Sequence, residues 1–149
     1  MKTLNTKEDI QKWLDDMGIK NYSITKNLVV NVKGNVFLAN NKLKNIPVQF
    51  GVVTGDFIVS MNSLTSLKGS PNKVEGDFYC SDNKLETLEY SPKTVGGNFY
   101  CEFNLLDNLE GAPEKVGGSF HHYGNPLRTE KLNTKVVGLI IGNDEWEKY

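Results

Sequence analysis

The sequence is poor in the features that identify secreted, membrane-bound and nucleic-acid-binding proteins. Its two cysteines among 149 residues are too few for the disulfide framework of a small secreted domain. The formal net charge is -1 at pH 7, whereas a general nucleic-acid binder needs a basic surface. The longest apolar run, residues 136–142, is too short to cross a bilayer, and the beginning MKTLNTKEDI has no signal-peptide core. We therefore expect a cytoplasmic protein that binds neither membranes nor nucleic acids directly.

Residue sets for catalysis or metal binding are also scarce. The only two histidines, His121 and His122, are adjacent, so in a strand their side chains would face opposite sides. The sequence contains no recognisable serine–histidine–acid set, phosphate-binding glycine loop or metal-binding motif. We therefore expect a protein that is not an enzyme and that holds no cofactor or metal.

The most informative feature is a repeat of constant length. Glycine recurs every 21 positions, at Gly34, Gly55, Gly76, Gly97 and Gly118. Valine occupies the position two before each glycine, at Val32, Val53, Val74, Val95 and Val116. Two positions after each glycine stand Val36, Phe57, Phe78, Phe99 and Phe120, and two further on stand Leu38, Val59, Cys80, Cys101 and His122. An asparagine column (Asn41, Asn62, Asn83, Asn104 and Asn125) and a leucine column (Leu43, Leu64, Leu85, Leu106 and Leu127) complete the unit.

These columns predict a solenoid. Alternation with a period of two, as in Val-x-Gly-x-Phe-x-Cys, is typical of a strand with one buried face. One unit cannot bury its apolar edge alone, but stacked units place their strands side by side in a parallel sheet. The asparagine column predicts an internal ladder in which each amide bonds to backbone groups where the chain turns.

Residues 78–88 read Phe-x-Cys-x-x-Asn-x-Leu-x-x-Leu, which resembles the core of leucine-rich repeats. The resemblance covers residues 32–130 and implies a leucine-rich-repeat-like solenoid; with the last strand, we expect about six stacked coils. The units are short, so we expect little helix on the convex side. The phrase GDFYCSDNKLETLEYSPKTVGGNFYC also resembles short repeat proteins of tailed bacteriophages, which would place the chain in the host cytoplasm.

We expect residues 1–149 to form a single domain of three parts. Residues 1–31 are predicted to form a cap made of a helix, which starts at Thr6 and ends at Gly18, and a hairpin around Lys26 and Asn27. Residues 32–130 hold five repeats. Residues 131–149 hold a last strand and a short helical cap.

The final strand and cap are predicted in more detail. Val137, Leu139 and Ile141 follow Val116, Gly118 and Phe120 at the same interval as the earlier columns, which predicts a sixth coil in the same register. Asn143 or Asp144 is predicted to begin the cap, with Trp146 as a lid over the open end.

The two cysteines allow several interpretations. Cys80 and Cys101 occupy one inward column in adjacent coils, and buried free thiols are the favoured interpretation. A disulfide, or a metal site that includes His122, remains as an alternative.

The outward strand face carries the functional prediction. Its central row is aromatic and apolar, and acidic, polar and aromatic residues lie beside that row. The predicted partner-binding residues are Phe37, Ile58, Tyr79, Tyr100, His121, Tyr123, Glu102, Phe103, Asp56 and Asp77. Such a surface is typical of a protein-interaction module whose partner has a basic patch.

Other interpretations of this face stay open. The rings could simply stack and stabilise the sheet. The chain could be a structural, self-assembling repeat protein, and the outward aromatic residues also allow a homodimer. A mimic of a phosphate backbone is disfavoured because the face has few carboxylates. The bacteriophage resemblance implies a host protein as the partner, with the chain acting as an inhibitor of a host defence or regulatory protein.

Overall fold

Each repeat of the sequence forms one coil of a β-solenoid. The computed structural model describes residues 3–143. One α-helix, α1 (Lys7–Asp16), precedes a series of short strands. The strands are β1 (Tyr22–Ile24), β2 (Val29–Val32), β3 (Val36–Phe37), β4 (Gln49–Val53), β5 (Phe57–Ile58), β6 (Lys73–Val74), β7 (Phe78–Tyr79), β8 (Thr94–Val95), β9 (Phe99–Tyr100), β10 (Lys115–Val116), β11 (Phe120–His121), β12 (Lys135–Val136) and β13 (Ile140–Ile141).

The strands form two parallel sheets that run along the stack. Sheet A has the order β1-β2-β4-β6-β8-β10-β12, and sheet B has the order β3-β5-β7-β9-β11-β13. All pairings are parallel except β1 with β2. Within residues 38–134, the segments that connect the strands consist of bends and turns and contain no helix. The predicted solenoid with parallel strands and little convex helix is confirmed.

Each coil contributes two strands where the sequence predicted one. The chain bends between Val74 and Phe78, and the equivalent bend recurs in the neighbouring coils. The glycine column lies at this bend because the backbones of successive coils approach closely there. A Cβ on Gly76 would lie 2.7 Å from the carbonyl carbon of Gly55 and 2.3 Å from Oδ1 of Asp56. The glycine therefore lets adjacent coils touch at the corner that separates sheet A from sheet B.

The predicted inward columns form the core. The valines before each glycine are at most 2% exposed, and the phenylalanines after it are fully buried. The rings of Phe57, Phe78, Phe99 and Phe120 stack at centroid distances of 5.6, 5.3 and 5.0 Å. A single continuous row of apolar side chains thus joins the coils from end to end.

The asparagine column forms the predicted ladder. The Nδ2 group of Asn104 donates to the carbonyl oxygens of Cys101 (3.1 Å) and Glu102 (3.2 Å) in its own coil and of Cys80 (3.0 Å) in the preceding coil. Its Oδ1 accepts from the backbone N–H of Leu85 at 3.1 Å. Asn62, Asn83 and Asn125 repeat this arrangement. Each amide therefore closes its own turn and also bonds it to the coil before.

A second polar ladder follows the outer edge of the bend. The side-chain oxygens of Asn35, Asp56, Asp77 and Asn98 each accept from the backbone N–H of the residue 21 positions later, at 2.6–2.8 Å. Ser119 continues the ladder by accepting from the N–H of Leu139 at 3.0 Å. Only side chains with a short oxygen-bearing group can make this bond, which explains the Asn/Asp/Ser composition of the column.

The N-terminal cap has the predicted form. Thr6 Oγ1 accepts from the N–H of Asp9 at 3.1 Å, and α1 buries Ile10 and Leu14 against the first coil. Gly18 follows the helix with a φ of 71°. The antiparallel pair β1–β2 then forms the hairpin, with Tyr22 opposite Val32.

The register predicted for the last coil is wrong. Val116 pairs with Val136, and Phe120 pairs with Ile140, so this coil is one residue shorter than the coils before it. Val137 and Leu139 are consequently exposed, at 65% and 67%. A shift of one residue turns every side chain of a strand to the other face. The glycine column shows the true register, because Gly138 donates to the carbonyl of Gly118 at 2.8 Å.

The predicted cap beyond this strand, from Asp144 through Trp146, lies outside the described residues. The alternative start at Asn143 lies at their end, and Asn143 Oδ1 accepts from the N–H of Gly124 at 2.7 Å. This side chain therefore bonds to the preceding coil.

Replacing Asn104 by alanine should destabilise the whole stack. The substitution leaves the buried Leu85 N–H without its acceptor, and an orphaned buried polar group costs roughly 1–3 kcal/mol. It also removes three hydrogen bonds to carbonyls, although those of Cys80 and Cys101 keep their bonds to Asn83 and Asn125, and each lost bond contributes roughly 1 kcal/mol or less. We expect Asn104→Ala to lower the free energy of unfolding by about 2–4 kcal/mol, measured by urea denaturation. The exposed Asn133→Ala is the control and should change stability by less than about 0.5 kcal/mol. Equal stability of the two variants would contradict the role given to the ladder.

Candidate functional site

The central outward row of sheet B forms a stack of rings. Tyr79 and Tyr100 lie 4.5 Å apart with planes 8° from parallel, and the Tyr100 and His121 rings are also 4.5 Å apart. These three residues and Ile58 are half-buried, whereas Phe37 at the edge of the sheet is 63% exposed. The row is therefore a rigid ribbon whose ring edges reach the surface.

Two of the predicted acidic residues belong to the outer ladder. Oδ1 of Asp56 accepts from the N–H of Asp77, and Oδ1 of Asp77 accepts from the N–H of Asn98. Oδ2 of Asp77 accepts from the hydroxyl of Tyr79 at 3.0 Å. Burial, followed by this bond to Asp77, raises the pKa of Tyr79. The two carboxylates thus hold the coils and the tyrosine row in place, a role that their spacing in the sequence did not reveal.

Glu102 differs from the exposed acid that the sequence predicted. Glu102 is only 5% exposed, because Ser81 and Tyr123 occupy the same row on the two neighbouring coils. The hydroxyl of Ser81 donates a short hydrogen bond to Oε2, and Nδ1 of His121 lies 3.9 Å from Oε1. Burial raises the pKa of Glu102 and lowers that of His121. Among residues 3–143, no lysine or arginine forms an ion pair with this carboxylate.

In the outward column beside Glu102, two bulky apolar residues adopt a backbone conformation that is unusual for them; Leu28 and Tyr90, elsewhere in the chain, share it. Met61 and Phe103 have φ values of 55° and 52°, in the left-handed region that Gly, Asn and Asp tolerate best. The same column holds such residues elsewhere, at Asn40, Asp82 and Gly124. Both apolar side chains are more than half exposed. Phe103 also packs edge-on against Tyr123, with centroids 5.3 Å apart.

These residues enclose an open depression of about 280 Å³ on the sheet B face. It lies between the tyrosine row and the apolar pair of the next column. Its lining consists of Ser60, Met61, Tyr79, Ser81, Asp82, Tyr100, Glu102, Phe103 and Tyr123. The structure thus gathers Tyr79, Tyr100, Glu102, Phe103 and Tyr123 of the predicted site and adds Met61, Asp82 and the two serines. Phe37, Ile58, His121, Asp56 and Asp77 do not line it.

The thiols of the inward cysteine column are not accessible to solvent. Cys80 and Cys101 are fully buried and unpaired, and each Sγ lies 3.3 Å from a backbone carbonyl oxygen of the next coil. Burial raises the pKa of both thiols well above their ordinary value. His122 continues the column and is 1% exposed. The buried thiols of the favoured interpretation are confirmed.

Within residues 3–143, no group of three or more His, Cys, Asp or Glu side chains is placed to hold a metal ion. No helix in that part of the chain has the length and apolarity needed to span a membrane. Searches of protein-family models, of curated proteins and of solved structures find no match to this chain.

The buried carboxylate predicts a specific pH dependence. The folded-state pKa of Glu102 lies above its ordinary value of 4.5, so between these two values the folded state binds more protons than the unfolded state. The free energy of unfolding contributed by Glu102 is therefore lost as the pH rises through this window. His121, whose Nδ1 lies 3.9 Å from Oε1 of Glu102, should titrate in both wild type and variant.

We expect Glu102→Gln to remove this loss. Relative to wild type, the variant should gain stability as the pH rises above the ordinary carboxyl pKa of 4.5, measured by urea denaturation at increasing pH. Glu86→Gln, which changes an exposed carboxylate, is the matched control. Parallel stability–pH curves for wild type and both variants would contradict the burial of Glu102.

Proposed function

We propose that this chain is a non-enzymatic protein-interaction module whose partner contacts the outward face of sheet B. The observation that carries the proposal is the exposure of Met61 and Phe103, at 56% and 51%, on left-handed backbone. A residue held in such a conformation costs roughly 1–3 kcal/mol. Asparagine, aspartate or glycine would avoid much of this cost, and three other coils have one of these residues at the same position.

Folding gives only a partial reason for these two residues, since Phe103 packs against Tyr123 but about half of each residue stays exposed. Their side chains lie mainly at the surface, so they return little burial energy to the folded chain. Exposed apolar side chains clustered beside aromatic rings are instead typical of a protein-binding surface. Tyr90 is also exposed with a positive φ of 66°, but it belongs to a different column, outside the lining of the depression.

The stacked rings suit a binding face. Tyr79, Tyr100 and His121 hold one another in position, so little side-chain entropy would be lost when a partner binds. Asp82 is exposed beside them, and Asp56 and Asp77 lie along the same sheet. This excess of carboxylates supports a partner with a basic patch, because complementary charge steers association.

The nature of the partner is proposed from resemblance. The repeat resembles leucine-rich repeats, and its phrasing resembles repeat proteins of tailed bacteriophages. On that basis we propose a host defence or regulatory protein as the partner, which the chain would inhibit in the host cytoplasm. Fold analogy by itself does not define function, so this step depends on the capture experiment.

Affinity capture with variants of the face tests the proposal. Wild type, Met61→Ser/Phe103→Ser and the matched control Tyr90→Ser would be used to retain proteins from the cells in which the chain acts. We expect one partner on wild type and on Tyr90→Ser, with affinity reduced at least about tenfold for the double variant, because hot-spot residues each contribute more than about 1 kcal/mol.

Two results would overturn the proposal. Equal retention of the partner by all three proteins would show that the partner does not bind this face. Retention of further copies of the chain alone would favour the self-assembling alternative, which light scattering over a range of concentrations would then measure.

A further inference from the structure

We propose that the depression on sheet B receives an arginine side chain of the partner, with Glu102 as its counter-ion and the rings of Tyr100, Phe103 and Tyr123 as its walls. This inference deepens the proposed function and rests on it. It names the group that the face recognises, whereas the capture experiment asks only whether the face binds a protein.

Glu102 gives the first reason to expect a cation in the depression. Its row holds Ala39, Ser60 and Ser81 in the preceding coils, so the fold does not require a carboxylate there. A buried carboxylate is costly unless a cation pairs with it. In the described part of the chain no lysine or arginine does so. The group therefore lines the depression as an acidic side chain whose cation can come from another molecule.

The aromatic walls are the second reason. Phe103, which is 51% exposed, meets Tyr123 edge-on in this lining, whereas the faces of Tyr79 and Tyr100 cover each other. A cation over the face of Phe103 is attracted by the negative potential of that face, most strongly where water is excluded. Rings and a carboxylate in one concave site together select an organic cation over a neutral or anionic group.

The third reason distinguishes arginine from lysine. Guanidinium is more weakly hydrated than ammonium and stacks on rings, which suits entry toward a carboxylate that is 5% exposed. One oxygen of Glu102 already accepts from Ser81, so the incoming group needs other acceptors for its remaining N–H groups. Ser60, Ser81 and the carboxylate of Asp82 lie in the same lining and can accept from the five N–H donors of arginine.

A titration with small probes tests the proposal. Nuclear magnetic resonance would follow the backbone amides while N-acetyl-arginine amide is added to the whole protein. The neutral isostere N-acetyl-citrulline amide and the ammonium compound N-acetyl-lysine amide form the comparison arms. We expect saturable shifts at Ser81, Glu102 and Phe103 with the arginine probe. Citrulline should bind about tenfold more weakly, as expected when a charge-assisted hydrogen bond is lost.

Two variants test whether Glu102 supplies the negative charge and Phe103 the aromatic wall. Glu102→Gln and, separately, Phe103→Ala should each weaken arginine binding, whereas Glu86→Gln should leave it unchanged. The citrulline comparison uses wild type only, so it decides the question even if a variant folds poorly. Equal binding of citrulline and arginine, or shifts distributed outside the depression, would overturn the proposal. Lysine binding as tight as arginine binding would overturn the choice of guanidinium.

The two proposals can fail separately. The titration contains no partner protein, so a negative result leaves the capture result for Met61 and Phe103 unaffected. Conversely, if all three proteins retain the same partner in the capture experiment, the face is not the interface, even when the depression binds the arginine probe.

Discussion

Hydrogen bonding between successive coils is the constraint on which the rest of the structure depends. Sheet A and sheet B join the backbones, and the two side-chain ladders join them again at the turn and at the bend. A coil of another length would misplace its asparagine relative to the carbonyls of the coil before. The constant repeat interval is therefore a requirement for satisfying buried polar groups. The one shorter coil occurs at the end of the described stack, where its apolar side chains are no longer fully buried.

Three residues of the candidate site depart from this repeat. Inward positions are fixed by packing, and the outer ladder fixes Asp56 and Asp77, so variation is concentrated in the remaining outward columns. Glu102 replaces a small residue, and Met61 and Phe103 replace residues suited to a left-handed backbone. Each departure costs folding energy, and all three line the same depression. Their coincidence on one face is the main argument for a binding function.

Periodicity predicted the inward columns, the asparagine ladder, the helix and the hairpin because these features repeat the burial pattern directly. It did not predict the two strands per coil, because the bend depends on the distance between glycine backbones of neighbouring coils. The burial of Glu102 depends on Ser81 and Tyr123, which lie one coil away on either side, so alternation along a single strand misassigned it. The register of the last coil was missed because Val137, Leu139 and Ile141 alternate just as well as the paired residues do, and only Gly138 distinguishes the two registers.

Amide hydrogen exchange tests most directly the claim that side-chain amides lock the coils together. The N–H groups of Leu64, Leu85 and Leu106 donate to asparagine oxygens of the following coil, at 3.0–3.1 Å, although they lie outside the strands. We expect them to exchange as slowly as the strand N–H groups of Phe78 and Phe99, because both sets open only when coils separate. Exchange at the fast rate of solvent-exposed turns would contradict it.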